Sequence, residues 1–272
     1  MLAIDESITE KLKKASSIGK RYALIGFSGW PDAGKVASLT VAHFIKSLKA
    51  EKILEFSELY DLTLNRPSVE VEEGLIRRLS FLEATVYLWV DPEQNAALLI
   101  YSGPEPSYRW REFTDVILKL CSLMSIQRIY LVGGVVDMVT HTRKPRLSAV
   151  VNMEHLKAYA IAYGLSLTNY SGPASIHSYL MIKARERGFE ALGVWGHVPS
   201  YVSYPNTIVA YHMALKLSEM MNLTIDLEEL RKMAEELRMK LDRMVEESAD
   251  LKRMIEQIER RYGEFGGPSY IA

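Results

Sequence analysis

The chain has 272 residues, 48% of them hydrophobic, which is enough to fill one large α/β domain or two small ones and excludes a disordered chain. Lys and Arg number 33 against 34 Asp and Glu, so a formal charge of −1 supplies no global field to attract nucleic acid or an anionic membrane. One cysteine, Cys121, cannot close an internal disulfide, no run approaches 18 apolar residues, and the acidic start at 1–10 does not read as a signal peptide; together these point to a cytoplasmic chain.

In chain order, 21–27, 52–56, 84–90, 97–101, 128–132, 147–151 and 191–195 are short runs rich in Val, Ile, Leu and aromatics, which predict strands. Helix-period segments lie between several of them. Val41, Phe44, Ile45 and Leu48 share one face, as do Trp110, Phe113, Ile117, Leu120 and Met124. Alternation of this kind implies crossover connections, hence a mostly parallel sheet covered on both faces: a three-layer α/β sandwich over residues 1–222, its core beginning near residue 15.

Residues 223–263 are different. Asp226 and Glu229 have the spacing of a capping box, and no Gly or Pro follows until Gly263, which predicts one long helix of roughly 50 Å. Its apolar positions step by four and three through Leu230, Ala234, Leu237, Leu241 and Met244, lapse at Ser248, and resume at Leu251, Ile255, Ile258 and Tyr262. This heptad seam favours a coiled coil or an antiparallel helical arm, with docking on the chain's own α/β domain as the plain alternative. Subunit contacts are expected for at least the distal half. Residues 264–272 are glycine-rich and predict a flexible tail tipped by Tyr270, Ile271 and Ala272.

Several motifs invite chemistry. Gly29-Trp30-Pro31-Asp32-Ala33-Gly34-Lys35 matches the first seven positions of a phosphate-binding loop, but Val36 lacks the hydroxyl that holds magnesium, Pro31 lacks an N–H, and Asp32 carries the wrong charge. Gly26-Phe27-Ser28-Gly29 would be a nucleophile elbow only with glycine in place of Trp30. The six histidines have no metal-site spacing and Cys121 has no second cysteine, so neither metal nor cofactor is expected, and no catalytic residue is assigned. Loops beyond the ends of parallel strands gather into a crevice, which makes Asp32, Lys35, His141, Arg143 and His197 candidates for one pocket.

Gly26 to Gly34, Ser102-Gly103-Pro104-Glu105-Pro106, Val132-Gly133-Gly134, His141-Thr142-Arg143, Tyr170-Ser171-Gly172-Pro173 and Gly196 to Val202 with Pro205-Asn206 together resemble the archaeal branch of the proteasome assembly chaperone 2 family. The resemblance implies a phosphorylase-like fold, a homo-oligomer of four or five copies, little catalysis, and binding to proteasome α subunits or the core particle. It also implies docking through a C-terminal tail, although here the tyrosine stands third from the end. Relatives also carry an ATP-grasp superfamily label. The alternative is therefore an enzyme acting on a nucleotide or nucleoside, with Lys35, Asp32, His141 and Arg143 as its polar groups.

Overall fold

A computed structural model describes residues 4–56, 60–61, 66–81 and 84–265, the side chains of 261–265 excepted. The strands β1 (Lys20–Ser28), β2 (Glu51–Phe56), β5 (Ala84–Asp91), β6 (Ala96–Pro104), β7 (Arg128–Asp137), β8 (Leu147–Val151), β9 (Ser166–Leu167) and β10 (Glu190–Pro199) form one sheet in the order β2-β5-β6-β1-β7-β10-β8-β9. A separate hairpin joins β3 (Ser68–Glu72) and β4 (Leu75–Ser80). The centre of the large sheet, β6-β1-β7-β10, is parallel as expected, whereas β5 runs antiparallel to β2 and β6, and β8 antiparallel to β10. The reason for β5 and β6 is length: only residues 92–95 join them, and a parallel pairing needs a crossover of a dozen or more.

Helices α1 (Glu6–Ala15), α3 (Trp110–Leu123) and α5 (Ile176–Glu186) cover one face. Helices α2 (Val36–Leu48), α4 (Leu156–Ala162) and α6 (Thr207–Met221) cover the other. Strand alternation divides the core accordingly, since Ala23, Ile25 and Phe27 of β1 enter the first layer and Leu24 the second. The three-layer arrangement follows from strands that are apolar on both sides and must bury both.

The long helix is corrected to two. α7 (Glu228–Glu247) and α8 (Ala249–Phe265) meet at Ser248, whose backbone is extended at φ −127° and ψ 105°. Ser248 Oγ accepts the N–H of Leu251 at 3.2 Å, the bond of a helix N-cap. The lapse in the heptad seam is therefore a start signal. α8 folds back: Asp242 of α7 reaches His141, and Glu259 of α8 reaches the adjacent Thr142. The expected capping box does not form: α7 starts after Leu227, Asp226 accepts the N–H of Glu228 at 2.9 Å rather than that of Glu229, and Glu229 is drawn to Lys46 of α2 at 2.6 Å.

Among the described residues most of the seam is buried against the chain itself. Leu230 is buried in the second core layer, and Ala234, Leu237 and Leu241 are buried with Val202 and Ile208, with Met244 packed beside them. Ile255 and Ile258 are buried in α8 and Leu251 is half-buried. The Tyr262 side chain and the tail residues Tyr270, Ile271 and Ala272 lie outside the described residues.

Candidate functional site

Parallel strands β1, β6, β7 and β10 end at one edge of the sheet, so the loops after them, at 29–35, 105–109, 138–146 and 200–206, gather there. The first loop is held against β7: the Gly134 N–H donates to the Pro31 carbonyl at 2.8 Å, and a Cβ on Gly134 would come within 2.3 Å of the Ala33 carbonyl oxygen. Only glycine permits that approach. Gly34, at φ 59°, lies against Val198 and Asn206 and returns a carbonyl to the Asn206 N–H at 2.7 Å.

In this loop a carboxylate stands where a phosphate loop would hold its anion. The Asp32 carboxylate accepts the N–H groups of Ala37 at 2.7 Å and Ser38 at 3.1 Å, together with the Ser38 hydroxyl. It thus occupies the N-terminal end of α2, where an anion would bind. Burial pushes its carboxyl above the usual range, against the pull of these hydrogen bonds and of Lys35. Lys35 itself is exposed in the left-handed conformation at φ 54°.

The 138–146 loop and the end of β10 form a second constellation. His197 Nδ1–H donates to Asp137 Oδ2 at 2.7 Å, and its Nε2 accepts the Ser148 hydroxyl at 2.8 Å; Arg146 approaches the same Asp137 oxygen at 3.3 Å. Ser-His-Asp in this order is the arrangement of an acyl-transfer triad. All three groups are at most 1% exposed, however, and Ser148 lies within β8 between Trp195 of β10 and Ser166 of β9. A substrate has no approach to the hydroxyl. Burial lowers the His197 pKa against the opposing pull of Asp137, so the ring is neutral at pH 7.

His141 closes a third set. Its Nδ1 accepts from the Tyr201 hydroxyl at 2.7 Å, its backbone N–H donates to the same oxygen at 2.8 Å, and its Nε2 lies 3.2 Å from Asp242. The ring therefore fastens α7 to the sheet edge. A cavity of about 150 Å³ lies between, lined in part by Val139, His141, Arg143, Arg146, His197 and Asn206. Three of the five expected crevice residues meet there; Asp32 and Lys35 do not line it. Small-molecule pockets begin near ~300 Å³, so this space is too small for a nucleotide. Among the described residues no group of three or more His, Cys, Asp and Glu side chains is placed to hold a metal ion.

The PAC2 family model matches residues 26–245, from the middle of β1 to near the end of α7. The chain belongs to the PAC2 family. Among solved structures, a proteasome-assembly chaperone homologue from Mycobacterium tuberculosis is 26% identical, with 86% of this chain and 99% of that one covered and a TM-score of 0.77. A PAC2 family protein from Streptomyces avermitilis is 27% identical over the same shares, at a TM-score of 0.76. PbaB of Pyrococcus furiosus, an archaeal proteasome activator, shares the fold at 20% identity and a TM-score of 0.66, over 84% and 94% of the two chains. No curated protein matches the sequence.

The PAC2 match takes in all three polar sets but stops short of α8, whose Glu259 secures Thr142. Within this PAC2 chain, Asp137 and Ser148 are the members that sequence reasoning missed. They stand 60 and 49 positions from His197, and no local spacing signals that the fold will join them.

Proposed function

We propose that this PAC2 protein is a non-catalytic, homo-oligomeric chaperone or adaptor that binds proteasome α subunits or the assembled core particle in the cytoplasm. Membership of the family over residues 26–245 carries this reading. The proteasome-related names of two structural neighbours support it. Site chemistry is consistent: each polar constellation is closed by partners from its own chain, which leaves surfaces for recognition. Four or five copies is the number the family resemblance implies. No helix among the described residues is long and apolar enough to cross a membrane.

Native mass spectrometry of the protein alone and mixed with proteasome α subunits tests the reading. One defined oligomer and a new species containing both proteins are expected. A monomer that forms no complex overturns it. The rival reading is an enzyme acting on a nucleotide or nucleoside in the loop crevice, with Lys35, Asp32, His141 and Arg143 as its polar groups, of which His141 and Arg143 line the cavity. Magnesium ATP should give no thermal shift, whereas a ligand at 100 times its dissociation constant stabilises a fold by about 2.7 kcal/mol.

A further inference from the structure

The cavity of about 150 Å³ at the sheet edge has a lining of one chemical sense. Arg143, Lys144 and Arg146 contribute three cations to it, and none of the described lining residues is Asp or Glu. Asp137, Asp242 and Glu259 touch lining residues without lining the space themselves. Each is engaged there: Asp137 with His197 and Arg146, Asp242 with His141, and Glu259 with Thr140 and Thr142. Asn206 adds a neutral donor from inside. The residue is 1% exposed, and its Oδ1 accepts the Val209 N–H at 3.0 Å as the N-cap of α6. That bond fixes which way round the amide sits. Nδ2 therefore has no hydrogen-bond partner among the described residues and is left to the space that Asn206 lines.

The two histidine rings have no nitrogen to spare, since His141 is held by Tyr201 and Asp242, and His197 by Asp137 and Ser148. The polar side chains that can serve a ligand are therefore donors, three of them charged, which selects an anionic acceptor. α6 starts at the same wall, so the positive end of its dipole adds to the attraction. Val139, Pro145, Ile208 and Val209 complete the walls with apolar surface, which calls for an apolar body behind the charge. Volume sets the length of that body. An apolar cavity of ~150 Å³ holds a molecule the size of benzene, about six non-hydrogen atoms. Inorganic phosphate would leave the apolar walls unfilled. We infer that this cavity is a binding site for a short-chain aliphatic monocarboxylate. Asn206 Nδ2 donates to the carboxylate, the cations of the 138–146 loop balance its charge, and the alkyl chain lies against Ile208 and Val209. Such binding depends neither on the chain's oligomeric state nor on proteasome subunits.

Amide NMR of the full chain titrated with sodium butyrate at constant ionic strength tests it, read at the Asn206 side chain and at the backbone N–H groups of 206–209. Butyrate should shift these signals with a dissociation constant of about 1 mM. Butyramide, equal in size and uncharged, should bind at least ~10-fold more weakly, and inorganic phosphate should leave the signals in place. Asn206→Asp preserves the cap, because Asp caps a helix as well as Asn does, but it sets a carboxylate oxygen where the donor stood. This change should weaken butyrate binding roughly 100-fold. Lys144→Gln, on the exposed part of the loop, should weaken it about threefold. No response to butyrate at ~20 mM, an equal response to butyramide or phosphate, or unchanged binding by Asn206→Asp overturns the inference. Should Asn206→Asp fail to fold, butyrate against butyramide on the wild-type chain still decides.

Discussion

His177 sits between the rings of Phe27 and Trp195, at 5.3 and 5.1 Å, and neither of its nitrogens has a hydrogen-bond partner among the described residues. Burial pushes its pKa from 6.5 down to about 3. Burial also lowers His141, His197 and His212, each opposed in part by a hydrogen-bonded neighbour. The folded values lie below the unfolded ones, so protons favour the unfolded chain. The contribution to stability is complete above about pH 6.5 and is lost as pH falls toward 3. Replacing His177 by Leu, similar in volume and without a proton to gain, should flatten this acid loss in urea unfolding at pH 7, 5 and 4. An unchanged slope would assign the loss to the other three rings. Asp32 works in the opposite sense on structure: Asp32→Ala frees two N–H groups at the start of α2 and should cost about 2 kcal/mol at pH 7 in the same measurement. The sequence singles Asp32 out through a phosphate-loop pattern, but only the fold reveals that its carboxylate fills the loop's anion position.

The central strands are legible because they are apolar runs buried on both faces, and the three-layer order follows from them; the edge strand β2, with Lys52 and Glu55, is legible only as a short run between turns. Several elements are hidden, for different reasons. α1 is short and polar on most of its surface, although Asp5 accepting the Ile8 N–H at 2.7 Å, with Lys13 and Lys14 in the last turn, is a full set of end signals. β3 and β4 alternate, but the bulge after Glu70 breaks the period in β4, and Glu73-Gly74, at φ 49° and 81°, is the turn that carries the hairpin's signal. At Ser248 the seam's period continues on both sides, so in the sequence the cap has the form of a lapse. Ser248→Ala should destabilise the start of α8 by about 1 kcal/mol. Hydrogen exchange is the measurement suited to so local a change: protection at 249–253 should fall while the core strands keep theirs. Equal loss in both would mean that α8 and the sandwich unfold as one unit.

At the scale of the molecule, the fold-back of α8 brings its C-terminal half to the sheet edge. Glu259 meets Thr142 at 2.5 Å, which sets the C-terminal half of α8 beside the strand-end loops. In the proposed oligomer each copy carries one tail, and copy number is proposed to offset the departure from the usual docking order, with Tyr270 third from the end. Tethering several weak contacts on one assembly raises avidity by ~10²–10⁴ without a strong single bond. Deleting residues 264–272 should leave the subunit number unchanged in native mass spectrometry, because the α/β body is intact. It should reduce capture of α subunits by a factor in that range, and fusing the tail alone to a monomeric carrier should not restore it. Undiminished capture after the deletion would move the docking surface to the loops and helices of the folded body.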